Sequence, residues 1–184
     1  MKILIISCSL HPRSRSHLLA NHFMDDVQAL GADIELIDLR DLDIPFCDAV
    51  SSSKAPDARL VTDAIREASA VILAVPIYNF DVNAAAKNLL ENTMRVWTEK
   101  LVGFICVAGG RSSYMSVMGL ANDLMLDFRC LIIPRFVYAT GDDFTGERSD
   151  DMALTSDTVR ERLAELASTT VALAGALEGV YGGS

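Results

Sequence analysis

Between Ser7 and His17 the chain reads SCSLHPRSRSH, directly behind the apolar run KILII. Serines at 9, 14 and 16, arginines at 13 and 15 and histidines at 11 and 17 crowd a corner where a strand should give way to a helix. A phosphate dianion seeks such a place: hydroxyl donors, a guanidinium, and the unpaired amides and dipole of a helix N-terminus. Ser9, Ser14 and Ser16 supply the hydroxyls and Arg15 or Arg13 the charge. The plainer alternative has Ser14 or Ser16 only capping the helix while the arginines face solvent. The density of donors favours phosphate.

Two further loops carry unusual chemistry. In VPIYNFDVNAAAKN, Pro76 ends a strand, and Ile77, Tyr78, Asn79 and Phe80 precede a helix. Two aromatics and an amide beside a phosphate suit a flat aromatic cofactor with hydrogen-bonding edges; an ordinary turn whose rings pack inward is the alternative. In AGGRSSYMS, Gly109 and Gly110 permit close approach or unusual backbone angles. Their amides, with Arg111 and Tyr114, can face the polar rim of that cofactor, or the segment is a glycine turn with a serine cap.

The elements that must position these loops alternate along the chain. Strands are expected at Lys2–Ser7, Asp33–Leu39, Ala70–Val75, Leu101–Ala108 and from Cys130, the last one resuming at Phe136–Ala139. Helices are expected over Ser16–Leu30 (closed by Gly31), Asp57–Ala68, Val82–Trp97, Tyr114–Phe128 and Asp151–Leu177. Apolar, non-alternating strands interleaved with helices imply a parallel sheet covered on both faces. Five such units suit an α/β three-layer sandwich with strand order 2-1-3-4-5. Ligands then lie at the carboxyl ends of strands one, three and four, which is where the three polar loops fall.

The 184 residues, 51% of them hydrophobic, fit one domain spanning 1–184. A net charge of −9 argues against nucleic acid and anionic membrane as partners. Cys8, Cys47, Cys106 and Cys130 lack metal-ligand spacing, and three of them sit in or beside apolar strands, as in a reducing cytoplasm. No metal site is expected, and no apolar run reaches membrane-spanning length. His17 and His22 read as structural or solvated, Met115, Met118 and Met125 as core or interface, and Gly141–Asp151 as a surface loop. GVYGGS reads as a frayed end.

From Met1 to about Ala139 the chain resembles the NADPH-dependent FMN reductases, a family of flavodoxin-like proteins. Ser9–Ser14 is similar to the family's Ser-x-Arg-x-x-Ser loop, DLRDLDIPFCD to its leucine-proline loop, PIYNFDVNAAAKN to its Pro-x-Tyr-Asn segment and VAGGRSSY to its Gly-Gly loop. The resemblance implies a flavodoxin-like fold and bound FMN, with Ser9, Ser14, Arg15 and Ser16 on its phosphate. It places Pro76, Ile77, Tyr78, Asn79 and Phe80 along the isoalloxazine, and Gly109, Gly110 and Arg111 near the ring's other polar edge. It further implies NADPH (or NADH) as electron donor, a flavin, quinone or azo acceptor, and a homodimer or homotetramer, for whose interface the helix over Val82–Trp97 is a candidate. His11 stands where the family commonly has arginine, and Ile77 where it often has glutamate. Hydride transfer to a flavin requires no acid–base residue, so no catalytic side chain is expected.

Three rivals remain beside this reading. A tyrosine phosphatase of the same topology needs Cys-x5-Arg, but from Cys8 that arginine would stand at Ser14. A flavodoxin-type carrier favours a Thr/Ser-Gly-x-Thr loop, which this chain lacks. A non-enzymatic flavin-binding protein is the third.

Overall fold

The isoleucine-rich run Lys2–Ser7 (β1) is buried from Ile3 onward on both its faces, which is why it shows no polar alternation. In the computed structural model, which describes residues 1–146 and 149–180, β1 is flanked in parallel by β2 (Asp33–Asp38) and β3 (Ala70–Tyr78). Beyond β3 lies β5 (Leu101–Val107), again parallel. The outer position is shared by β6 (Leu131–Ile132) and β7 (Val137–Ala139), both parallel to β5.

The expected order is therefore realised, with two differences that raise the sheet to seven strands. The fifth strand is split in two, as its sequence suggested: Pro134 has no amide to donate and Arg135 takes a left-handed φ of 59°. The second difference is β4 (Asp81–Val82), which turns back on β3 as an antiparallel hairpin, Ile77 opposite Val82 and Tyr78 opposite Asp81.

Helices α1 (Arg15–Ala29) and α5 (Asp157–Ala176) cover one face, burying Ile3, Ile5, Phe23, Ile72, Ile105 and Leu166. On the other face α2 (Pro56–Glu67), α3 (Ala84–Thr93) and α4 (Met118–Phe128) enclose Leu4, Ile6, Ile65, Val71, Trp97 and Phe104. In β1, β3 and β5 successive residues feed alternate cores, the period of two that a pleated strand imposes. Gly103 of β5 makes room for the first of these layers: a Cβ there would stand 2.7 Å from Ile72 Cδ1 and 3.4 Å from Leu166 Cδ1. Gly31 ends α1 as expected, at φ 77°, its amide donating to the Gln28 carbonyl.

Helix starts are where the expectation slips. α3 begins two residues late because Val82 belongs to the hairpin, and its last stretch, Met94–Trp97, tightens into a 3-10 turn behind Met94 at φ 49°. The segment Arg111–Val117 is 3-10 rather than α, so α4 starts at Met118. α5 starts at Asp157, capped by the Ser156 side chain, because the residues before it form a small ladder. That ladder pairs β8 (Phe144–Thr145) with β9 (Ala153–Leu154) and sinks Phe144 and Leu154 into the α1/α5 core, so Gly141–Asp151 is more than a surface loop. Glu147 and Arg148 of that loop, and residues 181–184 of the expected frayed end, lie outside the described residues. Met115, Met118 and Met125 are exposed, which removes the core half of their expectation. Among the described residues no helix is long and apolar enough to cross a membrane.

Candidate functional site

At the carboxyl ends of β1, β3 and β5 the three loops close on one crevice of about 680 Å³. The first loop contributes Ser9, His11, Ser14, Arg15 and Ser16, together with Arg13. Ser14 caps α1, its Oγ accepting the His17 amide proton at 3.1 Å, and lies 3.0 Å from the Ser16 Oγ. Capping and lining are thus compatible: the serine that starts the helix also faces the crevice, at the positive end of the α1 dipole. Ser9 Oγ accepts from the His11 amide. His11 Nδ1 in turn accepts from the Arg13 amide at 3.0 Å. A neutral His11 must then carry its proton on Nε2, a donor free to meet a ligand. The Arg15 guanidinium lies against Gly141 and over the Phe144 ring, 5.8 Å from its centroid.

The second loop is the β3–β4 hairpin. Pro76, Ile77, Tyr78, Asn79 and Phe80 all line the crevice. Asn79 and Phe80 form its two-residue turn with φ of 52° and 62°, the mirror-image turn that fits strand twist. Glycine normally takes the second place, and a Phe there costs about 1–2 kcal/mol. Phe80 is nonetheless 68% exposed, so burial of its ring does not offset that cost. Phe80→Gly should raise stability by about 0.5–1 kcal/mol, once glycine's greater unfolded-state freedom is subtracted. A thermal melt measures it, and a lower midpoint would mean the ring holds the hairpin.

The third loop divides the expected residues. Gly109 and Gly110 line the crevice, and a Cβ on either would meet no atom within 4 Å. Neither takes a positive φ, so of the two expected uses close approach is the one left, their missing side chains keeping the crevice open. Arg111 and Tyr114 do not line it. The segment kinks at Ser113, between these two (φ −97°, ψ 22°), and Tyr114 stacks on Phe136 with centroids 5.0 Å apart. Ser112 and Ser113 line it instead, with Val107 and Ala108. Tyr138, from β7, pins the loop by donating to the Gly110 carbonyl at 2.5 Å and meeting Ser113 Oγ at 2.9 Å. The run RSSY signalled a polar turn, but its facing depends on a kink at Ser113 that the sequence does not display.

Behind the first loop, the nearly buried Asp38 carboxylate meets His17 Nδ1 at 2.9 Å and pairs with the Arg40 guanidinium. Burial would raise the Asp38 carboxyl, but hydrogen bonds from Arg40 and the charge of His17 carry it below the ordinary carboxylate value. Burial lowers His17 below the ordinary imidazole value of 6.5 despite the pull of Asp38. The unfolded chain therefore takes up a proton that the folded one resists, and stability falls as pH drops through 6.5. His17→Asn should flatten that part of a urea-midpoint profile taken from pH 7.5 to 5.5; an unchanged slope would assign it to other groups. Asp38 acts the same way further down, its contribution being lost as pH falls below the ordinary carboxylate value.

Burial also raises the thiols: Cys8 and Cys106 strongly, Cys130 to about 11. Buried and protonated, Cys8 cannot serve as a phosphatase nucleophile.

A family model described as NADPH-dependent FMN reductase matches residues 1–145. An NAD(P)H-dependent FAD/FMN reductase of Geobacillus thermodenitrificans is 31% identical over 137 residues, 73% of this chain and 72% of that protein. An NADPH:quinone oxidoreductase of Arabidopsis thaliana is 28% identical over 153 residues, 79% of this chain and 78% of that one. Among solved structures, FerB, a flavoenzyme NAD(P)H:(acceptor) oxidoreductase from Paracoccus denitrificans, superposes with a TM-score of 0.75 at 19% identity, covering 95% and 97% of the two chains. A flavodoxin from the domain Archaea superposes at 0.64 and 11% identity, covering 95% and 99%. These structural likenesses establish a flavodoxin-like fold.

Proposed function

Because the chain belongs to the NADPH-dependent FMN reductase family, we propose that its crevice holds FMN and that the enzyme passes electrons from NADPH or NADH to a flat aromatic acceptor, a flavin, quinone or azo compound. The observation that carries this reading is what three neighbouring strand ends bring to one crevice. The loop after β1 supplies buried serines and Arg15, and the loops after β3 and β5 supply the aromatic hairpin and the glycines.

In this reading Ser9, Ser14, Ser16 and Arg15 bind the phosphate, with His11 donating from Nε2. Pro76–Phe80 lie along the ring, and Gly109, Gly110, Ser112 and Ser113 face its polar edge. When bound, FMN supplies the redox chemistry, taking hydride from the nicotinamide and releasing electrons to the acceptor. The chain's own task is to orient and to exclude water, and no side chain is asked to move a proton. Tyr78 and Phe80, both exposed, leave apolar area at the lip against which a second flat molecule can stack. Arg111, outside the crevice lining, is left to the 2′-phosphate of NADPH.

The same reading takes residues 1–184 as one cytosolic domain that assembles as a homodimer or homotetramer. The exposed Met115, Met118, Met125 and Leu126 on and beside α4 favour assembly, and light scattering on the purified protein tests it.

The decisive experiment mixes the FMN-loaded protein anaerobically with NADPH, then with NADH, and follows the visible flavin absorption. Bleaching that reverses on adding a quinone, azo dye or free flavin supports the reading and ranks the acceptors. Bound FMN that stays oxidised with both nicotinamides would favour a flavodoxin-type carrier.

A further inference from the structure

The arc Cys8–Ser14 between β1 and α1 has little structure of its own, yet it presents the phosphate-facing groups. Its start is fixed: the Cys8 amide donates to the Ala74 carbonyl at 2.9 Å, and the Cys8 carbonyl accepts from Asn83 Nδ2 at 2.7 Å. Its end is fixed by the Ser14 cap. Between them, among the described residues, Ser9, His11 and Arg13 bond to one another, with an Arg13–Asp150 ion pair at the exposed surface, where such pairs contribute little. Pro12 has no amide, so its carbonyl is its one backbone handle, and Arg40 Nη1 donates to it at 2.7 Å.

Arg40 can do this because its own position is fixed. Its Nε and Nη2 both address Asp38 Oδ2, and its backbone amide donates to Asp38 Oδ1 at 3.0 Å. Asp38 ends β2 directly opposite Ser7 of β1. It also meets His17 Nδ1, and His17 stands in the first turn of α1 with its amide on Ser14. One nearly buried carboxylate thus ties together a strand end, the helix that offers its amides to the crevice and, through Arg40, the apex of the arc. Arg40 does not line the crevice, and its charge is spent on Asp38.

We propose that Arg40 is a positioning residue for the phosphate-binding arc, acting through the Pro12 carbonyl and not by contact with the ligand. This rests on the reading that the crevice holds the FMN phosphate. A lysine at 40 keeps the charge opposite Asp38 but lacks the planar fork that reaches Asp38 and Pro12 together.

The test compares dissociation constants for FMN and for riboflavin, which has no phosphate, by quenching of flavin fluorescence in the wild type and in Arg40→Lys. FMN affinity should fall about tenfold in the variant, with riboflavin affinity unchanged and kcat at saturating FMN retained. Pro12→Gly, which loosens the same arc without touching Arg40, should show the same selective loss and stands in if Arg40→Lys lowers the melting temperature. Equal losses for both ligands in both variants, or FMN affinity undiminished in Arg40→Lys, would overturn the proposal. A wild type that binds FMN no better than riboflavin would instead remove the phosphate reading itself, and the proposal with it.

Discussion

Arg15→Ala is expected to bind FMN about 10- to 100-fold more weakly than the wild type, with riboflavin affinity little changed. On the proposed reading Arg15 is the main cation for the phosphate, and a hydrogen bond to a charged group contributes roughly 1.5–3 kcal/mol. The side chain is held before any ligand arrives, its guanidinium resting on Gly141 and over Phe144. Little rotamer freedom is then left to lose on binding, which places the effect toward the upper part of that range. Fluorescence titration at fixed ionic strength measures it. A loss of less than twofold would move the phosphate charge to Arg13, and the double variant would then show the missing affinity.

The largest effect on stability is expected at Trp97. Its side chain is fully buried, Nε1 donating to Thr93 Oγ1 at 2.7 Å, and its carbonyl accepts from the Cys130 thiol. Trp97→Ala should cost about 3–5 kcal/mol, a large fraction of the roughly 5–15 kcal/mol that a domain commands. A thermal melt should drop by roughly 10 °C. Trp97→Phe should lose much less, because Thr93 Oγ1 keeps its bond to the Leu89 carbonyl at 2.7 Å. Equal losses for the two substitutions would mean that the indole hydrogen bond, and not volume, holds this corner.

How far these features were legible follows from the kind of signal each left. The parallel sheet was readable because β1, β3 and β5 are built on continuous apolar runs, and the three loops because polarity begins abruptly where those runs stop. β4 was not: two residues hold no period, and Asn79-Phe80 lacks the glycine that usually marks such a turn. At the site, Ser9, His11 and Ser14–Ser16 were visible as a density of donors. That Ser112 and Ser113 line the crevice while Arg111 and Tyr114 do not was hidden, because a kink at Ser113 decides how these four residues are presented. The Asp38–Arg40 strut was hidden for another reason: Pro12 and Arg40 lie 28 positions apart, and a carbonyl acceptor leaves no mark in a side-chain pattern.

The broken outer strand has a consequence for the protein's behaviour in crowded solution. A sheet this apolar through its depth would be an inviting template for a stray strand from another molecule if its rims were long and flat. On one rim the backbone is offered in pieces, Leu131–Ile132 and Val137–Ala139, with Pro134 between them unable to donate. On the other, β2 carries Asp33 and Glu35 on a strand only partly buried over most of its length. Both rims thus discourage edge-to-edge growth into aggregates.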